Sequence, residues 1–263
     1  MLTSTTWRAG RFGGVVPDRY DAPTLRALVF DLDAVADIEC DGHRLVFNAA
    51  FAAHGLDVAW DVRRYRQLLA LPDERQRVAA ELRARGIASE CDVLTDMLAD
   101  EIHLTKTLMF EEMIVGADIA ARPGVTTLIA DAAAAGVSVG VVSTGTRSWV
   151  EPVLHRLLDG RGVDALVTAD DATAGGAPAY RLATQRLRAG ETQALTVAAS
   201  MSGVRGAQSA GLATMLVAAP CDAPRGFPPS AIRADYGGSD PLTLDECREQ
   251  LALWWQTHRA PAA

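Results

Sequence analysis

The chain has 263 residues, 49% of them apolar and 22% charged, and a formal net charge of −8. This length and composition can bury a sizeable core, which excludes a chain disordered throughout, and the negative charge excludes a nucleic-acid binder that works by bulk charge. Of the 25 basic residues, 24 are arginine and one, Lys106, is lysine, so chemistry that needs a compact ammonium has a single candidate.

Residues 1–24 are polar, with scattered glycine and proline, and read as an N-terminal arm. Leu25-Arg-Ala-Leu-Val-Phe-Asp31 is a short apolar run ending in an acid, the pattern of a buried parallel strand. Residues 41–117 carry helical spacing. Val46, Phe47, Ala50, Phe51 and His54 share a face, Gly55 supplies a stop, and further helical stretches lie near 62–71, 73–85 and 91–114. With no strand among them, they read as a helical cap inserted into a core made of residues 25–40 and 118–241.

After Arg122-Pro-Gly124 the pattern alternates. A helix over 124–135 ends at Gly136, a strand covers 137–142, and Ser143-Thr-Gly-Thr146 leads into a helix over 148–158. Pro152 is expected in or near its first turn, where proline is tolerated. Strands follow over 164–168, 194–198 and 213–217, separated by helices near 179–188 and 203–210. Strands alternating with helices predict an α/β, Rossmann-like, doubly wound parallel sheet, whose ligands bind at the carboxyl ends of the strands. Residues 242–263 read as a C-terminal helix and tail, with Leu244, Cys247, Leu251, Trp254 and Trp255 apolar.

The cysteines, Cys40, Cys91, Cys221 and Cys247, are widely spaced and show no zinc-ligand pattern, so they read as the reduced thiols of a cytoplasmic protein. Residues 1–17 contain no apolar stretch of the secretory kind. No uncharged apolar run approaches about 18 residues, so no membrane partner is expected. The arm and the Trp254-Trp255 tail are compatible with a protein partner, and also with packing on the chain's own core.

Two strand ends carry chemistry. Asp31-Leu-Asp33 places two carboxylates two residues apart, expected to leave the strand on the same side. One can attack while the other handles a proton, although acids so spaced also serve as turn caps. Ser143 and Thr144 put hydroxyls and free amides before a helix, which suits a phosphate and equally an ordinary helix cap.

These two signals flank a helical insert, and further matches are collinear with them. They include Phe30-Asp-Leu-Asp33, Gly42-His-Arg-Leu-Val-Phe-Asn48, Trp60-Asp61 with Tyr65-Arg-Gln-Leu-Leu69, Arg122-Pro-Gly124, and Gly203-Val-Arg-Gly-Ala207 with Ala210-Gly211. On them the chain resembles the haloacid-dehalogenase-like (HAD) hydrolase superfamily over roughly residues 25–220. It is most similar to the beta-phosphoglucomutase and CbbY-like phosphatase branch. The resemblance implies that Asp31 is the nucleophile that becomes an aspartyl-phosphate, and that Asp33 is the general acid/base. It implies Mg2+ held by the Asp31 carboxylate and the Asp33 carbonyl, Ser143 on the phosphoryl group with Thr144 beside it, and a cap that selects a small phosphorylated metabolite.

The chain departs from that pattern at decisive places. The Gly and Thr that follow the first motif are Ala34 and Val35; the alanine is tolerable if its φ is negative. The lysine that offsets the phosphate charge aligns with Gly176, next to Gly175. The acidic pair that completes the metal shell aligns with Ala198 and Ala199, within an intact frame from Ser200 to Gly211. In the cap, Ala70-Leu-Pro-Asp-Glu-Arg75 replaces a Gly-Gly-Lys stretch, leaving Arg75 either on phosphate or on a solvated helix face. Lys106 aligns with a cap lysine of the relatives and otherwise reads as a surface residue. Asp170 and Asp171, at another strand end, are candidates for substitute metal ligands. The expectation is a phosphatase fold with impaired catalysis, a pseudoenzyme with a ligand-binding or regulatory role. The alternative is an active Mg-dependent phosphatase or phosphomutase acting on a small sugar phosphate through an aspartyl-phosphate.

Overall fold

Runs of valine, leucine and alanine, too short for helices and free of internal charge, form the strands β1 (Ala27–Asp31), β2 (Ser138–Val142), β3 (Ala165–Val167), β4 (Ala194–Ala198) and β5 (Ala213–Val217). A sixth, β6 (Ile232–Arg233), was not legible in the sequence, because two residues carry no period. The computed structural model describes residues 24–71, 73–88, 91–171, 176–218 and 231–258. Nearly all of the expected arm, Gly175, Cys221 and the last five residues lie outside them.

All strand pairs are parallel, in the order β3-β2-β1-β4-β5-β6. β1, β4 and β5 are buried along their whole length, as a sheet covered on both faces requires. One apolar cluster covers one face through Leu28, Phe30, Val139, Val141, Val197 and Met215. A second covers the other through Ala27, Val29, Val167, Ala183 and Leu212. The alternation along β1 therefore feeds both layers. The chain reverses direction across the sheet at β1, between β2 and β4, which opens a crevice at the carboxyl ends of these strands.

The helices fall close to the expected positions. A short turn α1 (Leu32–Val35) follows β1, and one turn of π-helix (Glu39–His43) leads into the cap helices α2 (Arg44–Ala53), α3 (Val62–Leu68), α4 (Glu74–Arg85) and α5 (Asp92–Gly116). The cap has its own core of Phe47, Phe51, Trp60, Tyr65, Val78, Leu82 and Ile102. The core helices are α6 (Val125–Ala134), α7 (Arg147–Leu157), α8 (Gly176–Arg186) and α9 (Met201–Ser209). The last helix is α10 (Leu244–His258).

Pro152 corrects the sequence reading. It lies inside α7 rather than in its first turn, so α7 runs on through the one hydrogen bond that proline cannot donate. Trp254 and Trp255 pack against the chain's own main core. Cys40, Cys91 and Cys247 are free thiols. Among the described residues no helix is long and apolar enough to cross a membrane.

Candidate functional site

The register of the sheet assembles the site. Asp31 pairs with Val142, and Phe30 with Val197, so the residues just beyond β1, β2 and β4 meet in the crevice. They border a cavity of about 320 Å³ lined by Asp31, Asp33, Ser143, Thr144 and Gly176, with Glu39, His43 and Phe110 on the cap side. The two acids do not reach it by strand alternation. The chain turns helical directly after Asp31, whose side chain caps α1 by accepting from the Ala34 amide at 2.6 Å. Asp33 enters the same cavity from that helical turn. Ala34 is absent from the residues with positive φ, so replacing glycine there leaves the turn unstrained.

Asp31 is 7% exposed. Its carboxylate also accepts from the Ala199 amide, at 3.1 and 3.0 Å to its two oxygens, and from the Ser200 hydroxyl at 3.4 Å. Burial pushes its pKa up to about 6, against the pull of these hydrogen bonds and of the Arg122 charge. Burial also raises Asp33 well above the carboxylate range, and the nearby charges of Asp31, Glu39 and Asp37 push in the same direction. Oδ1 of Asp33 is buried without a hydrogen-bond partner.

The residues present do not fit magnesium. A hard dication needs several oxygen ligands, yet alanines stand at the end of β4 and Asp31 spends its oxygens on amides and a hydroxyl. The Asp33 carbonyl, the other ligand that the resemblance implies, accepts from Nε of Arg122 at 2.7 Å. No group of three or more His, Cys, Asp or Glu among the described residues is placed to hold a metal ion.

Asp170 and Asp171 do not join the cavity either. Asp170 accepts from the Arg147 amide at 2.6 Å, at the first turn of α7. Asp171 is bound by the guanidinium groups of Arg147 and Arg186 at 2.6 and 2.7 Å and by the Thr168 amide at 3.0 Å. The Arg186 hydrogen bond, with the others, holds its carboxyl far below the usual range. Acids with arginine partners are not spare metal ligands. At the other side of the loop, Ser143 lines the cavity, and its Oγ accepts from the Gly145 amide at 3.0 Å.

The two cap candidates separate. Arg75 is half exposed and pairs with Asp100 at 2.6 Å, which is the solvated-face alternative. Lys106 is no surface residue: it is 4% exposed. Its Nζ donates to both Glu74 oxygens at 2.8 Å and contacts Nδ1 of His43 at 2.9 Å. It lies 5.0 and 4.8 Å from the ring centroids of Phe47 and Phe110. Burial acts to raise Glu74, but the His43 hydrogen bond and the Lys106 charge outweigh it and hold the group at about 2. His43, which stacks on Phe110 at 4.4 Å, connects this cluster to the cavity.

Trp149 went unnoticed in the sequence. A Cβ on Gly145 would collide with its indole, so the ring lies directly on the Ser143-Thr-Gly145 loop. The available signal was a tryptophan four residues after a glycine at a helix start, which is one turn away.

A β1 acid pair, a hydroxyl loop after β2 and a helical insert between them are laid out as in a HAD-like phosphatase fold. The sequence profile of the haloacid dehalogenase-like hydrolases matches residues 25–211, and the chain belongs to that family. Protein CbbY from Cereibacter sphaeroides is 33% identical over 193 residues, 72% of this chain and 82% of that protein. A CbbY variant from Rhodobacter sphaeroides, solved in complex with xylulose-(1,5)bisphosphate, is 29% identical with a TM-score of 0.54, covering 86% of this chain and 96% of that one. Beta-phosphoglucomutase from Clostridium difficile shares the fold at 14% identity, with a TM-score of 0.57 over 88% and 99% of the two chains. Within the family the chain falls in this CbbY and phosphoglucomutase-like branch.

Proposed function

We propose that this protein is a catalytically impaired member of its phosphatase family, retained as a ligand-binding protein. The observation that carries the reading is the set of residues around the Asp31 carboxylate. Gly176, Ala198 and Ala199 stand where the family resemblance calls for a lysine and two acids, and no lysine or arginine among the described residues lines the cavity. Phosphoryl transfer depends on charge stabilisation and positioning. Losing one stabilising group costs about 10²–10³ in rate, so turnover is expected at least roughly a thousandfold below an intact relative.

The retained acid pair supports the alternative, an active phosphatase or phosphomutase on a sugar phosphate. Its raised Asp33 suits a group that must hold a proton at neutral pH. A phosphatase assay separates the two. Phosphate esters, including xylulose 1,5-bisphosphate, are incubated with the full chain and magnesium. Turnover well below about 1 s⁻¹, unchanged in Asp31→Asn, is expected. Turnover at or above that rate, abolished by Asp31→Asn, overturns the impaired reading.

A further inference from the structure

A second cavity, of about 660 Å³, adjoins the first and shares Asp33, Glu39, Ser200 and Ser202 with it. Its chemistry differs. Asp31, Ser143 and Thr144 do not line it, and four arginines do. Arg66 of α3 and Arg77 of α4 come from the cap, Arg122 and Arg205 of α9 from the core. The acids on the same wall are Asp33, Asp37 and Glu39. Even with all three ionised, the wall carries net positive charge and attracts an anion.

These guanidinium groups have N–H groups to spare, since each carries five. Arg77, 8% exposed, spends Nε on the Leu71 carbonyl at 2.9 Å and stands 3.9 Å from Glu39. Arg122 spends Nε on the Asp33 carbonyl. The terminal nitrogens of both make no hydrogen bond to any described residue. Arg66 reaches Asp37 only at 3.5 Å, beyond a well-formed hydrogen bond. Arg205 is exposed and has no hydrogen bond or ion pair with any described residue. Cations gathered around a cavity with too few acids cost free energy that a bound anion offsets. A planar guanidinium fork takes two oxygens of one carboxylate or phosphate.

We propose that this second cavity binds a small organic dianion with an oxyanion group at each end, a dicarboxylate or a bisphosphate, held between the cap arginines and the core arginines. Such a ligand ties the cap to the core. It needs neither the Asp31 carboxylate nor a metal, so the site stands whether or not Asp31 turns over. A volume of about 660 Å³ is within the usual range of ligand pockets.

Calorimetric titration of the full chain at pH 7 tests this, once in EDTA and once with magnesium. The probes are malate, fructose 1,6-bisphosphate, inorganic phosphate and, as the uncharged control, fructose. Malate or the bisphosphate is expected to bind saturably in EDTA, at least about tenfold tighter than phosphate and fructose. Whichever binds tighter names the source of the oxyanions. Arg66→Ala combined with Arg205→Ala is expected to weaken that binding by about tenfold or more. If the double variant fails to fold by circular dichroism, Arg205→Ala alone decides, with a loss of about threefold or more expected. Arg75→Ala removes an arginine that pairs with Asp100 outside the cavity, and is expected to leave the affinity unchanged. Saturable binding by neither dianion overturns the proposal, as does an affinity no greater than that for phosphate. Equal affinity in wild type and the cavity variant overturns it. An equal loss in Arg75→Ala also overturns it, by reducing the binding to general surface charge. Binding that requires magnesium overturns it by placing the ligand at Asp31. Failure here leaves the impaired-phosphatase reading in place, because turnover alone decides that reading.

Discussion

In the cap, the ammonium of Lys106 lies 2.8 Å from both oxygens of Glu74, beside the rings of Phe47 and Phe110. In the strand-end cavity, Asp31 and Asp33 stand together with Gly176 on the wall, and the amide of Ala199 bonds the Asp31 carboxylate. Both regions bury carboxyl groups, with opposite results. Glu74 is held at about 2 and Asp31 is pushed up to about 6. The difference lies in the partners: burial disfavours the ionised form in both places, and only in the cap do a hydrogen bond from His43 and the Lys106 charge outweigh it. A fold can therefore keep its charged cap intact while the charge balance of its reaction centre is lost.

The strongest way to break this contrast is to give the core its missing charges. Gly176→Lys combined with Ala198→Glu and Ala199→Asp is expected to raise phosphate-ester turnover with magnesium at least about 10²-fold over the wild type. Gly176 has φ +55°, and nothing lies within 4 Å of where a Cβ would stand, so the lysine has room and costs only about 1–2 kcal/mol of backbone strain. Steady-state kinetics check the outcome. No gain would place the impairment in another feature, with the Trp149 indole over the loop the first suspect.

Removing the cap's cation sharpens the contrast from the other side. Lys106→Met leaves the partly buried Glu74 with only His43 and His103 as partners and is expected to destabilise the fold by about 1–3 kcal/mol. The double variant with Glu74→Gln should recover much of that loss. Urea denaturation curves of the two variants measure both effects. Similar stabilities for Lys106→Met and wild type would mean that the pair contributes nothing net.

The smallest effect is on pH dependence. Glu74 is depressed in the folded state, so its contribution is present above the ordinary glutamate pKa and is lost as pH falls towards 2. Asp31 is raised, so its contribution has the opposite sign: present below the ordinary aspartate pKa and lost as pH rises through about 6. Stability, and the melting temperature with it, is expected to fall between about pH 4 and 6, by on the order of 2 kcal/mol. Asp31→Asn should flatten that limb and leave the acid limb in place. Thermal melts across pH 3–8 decide it, and an unchanged upper limb in Asp31→Asn would sink the assignment.

Much of the fold was legible because its signals are local. An apolar run such as Val137-Ser-Val-Gly-Val-Val142 can only be a strand in this context, and the spacing of Val46, Phe47, Ala50 and Phe51 can only be a buried helix face. Local signals also misled. Strand alternation predicted Asp31 and Asp33 side by side, but the chain turns helical after Asp31 because that side chain caps the Ala34 amide. Pro152 is expected near the first turn although the expected helix start is only one residue from Arg147; the rule that keeps proline out of helix interiors misled, because α7 runs on through it. Trp149 passed unread because its meaning depends on Gly145, a residue that carries no side chain to notice.

The sequence by itself determined the order of β1 to β5 and the helices between them, the family, and the absence of a lysine at Gly176 and of acids at Ala198 and Ala199. These follow from residue identity and short-range period. Only the tertiary structure decided which charges are paired. It turned Lys106 inward onto Glu74, left Arg75 on the surface with Asp100, and gave Asp170 and Asp171 to the Arg147 amide and to two guanidinium groups. It also closed the Asp31 carboxylate against the amide of Ala199, 168 residues away. Charge pairing falls off with distance in space, and distance in space is fixed by the order in which the strands pack rather than by their order along the chain.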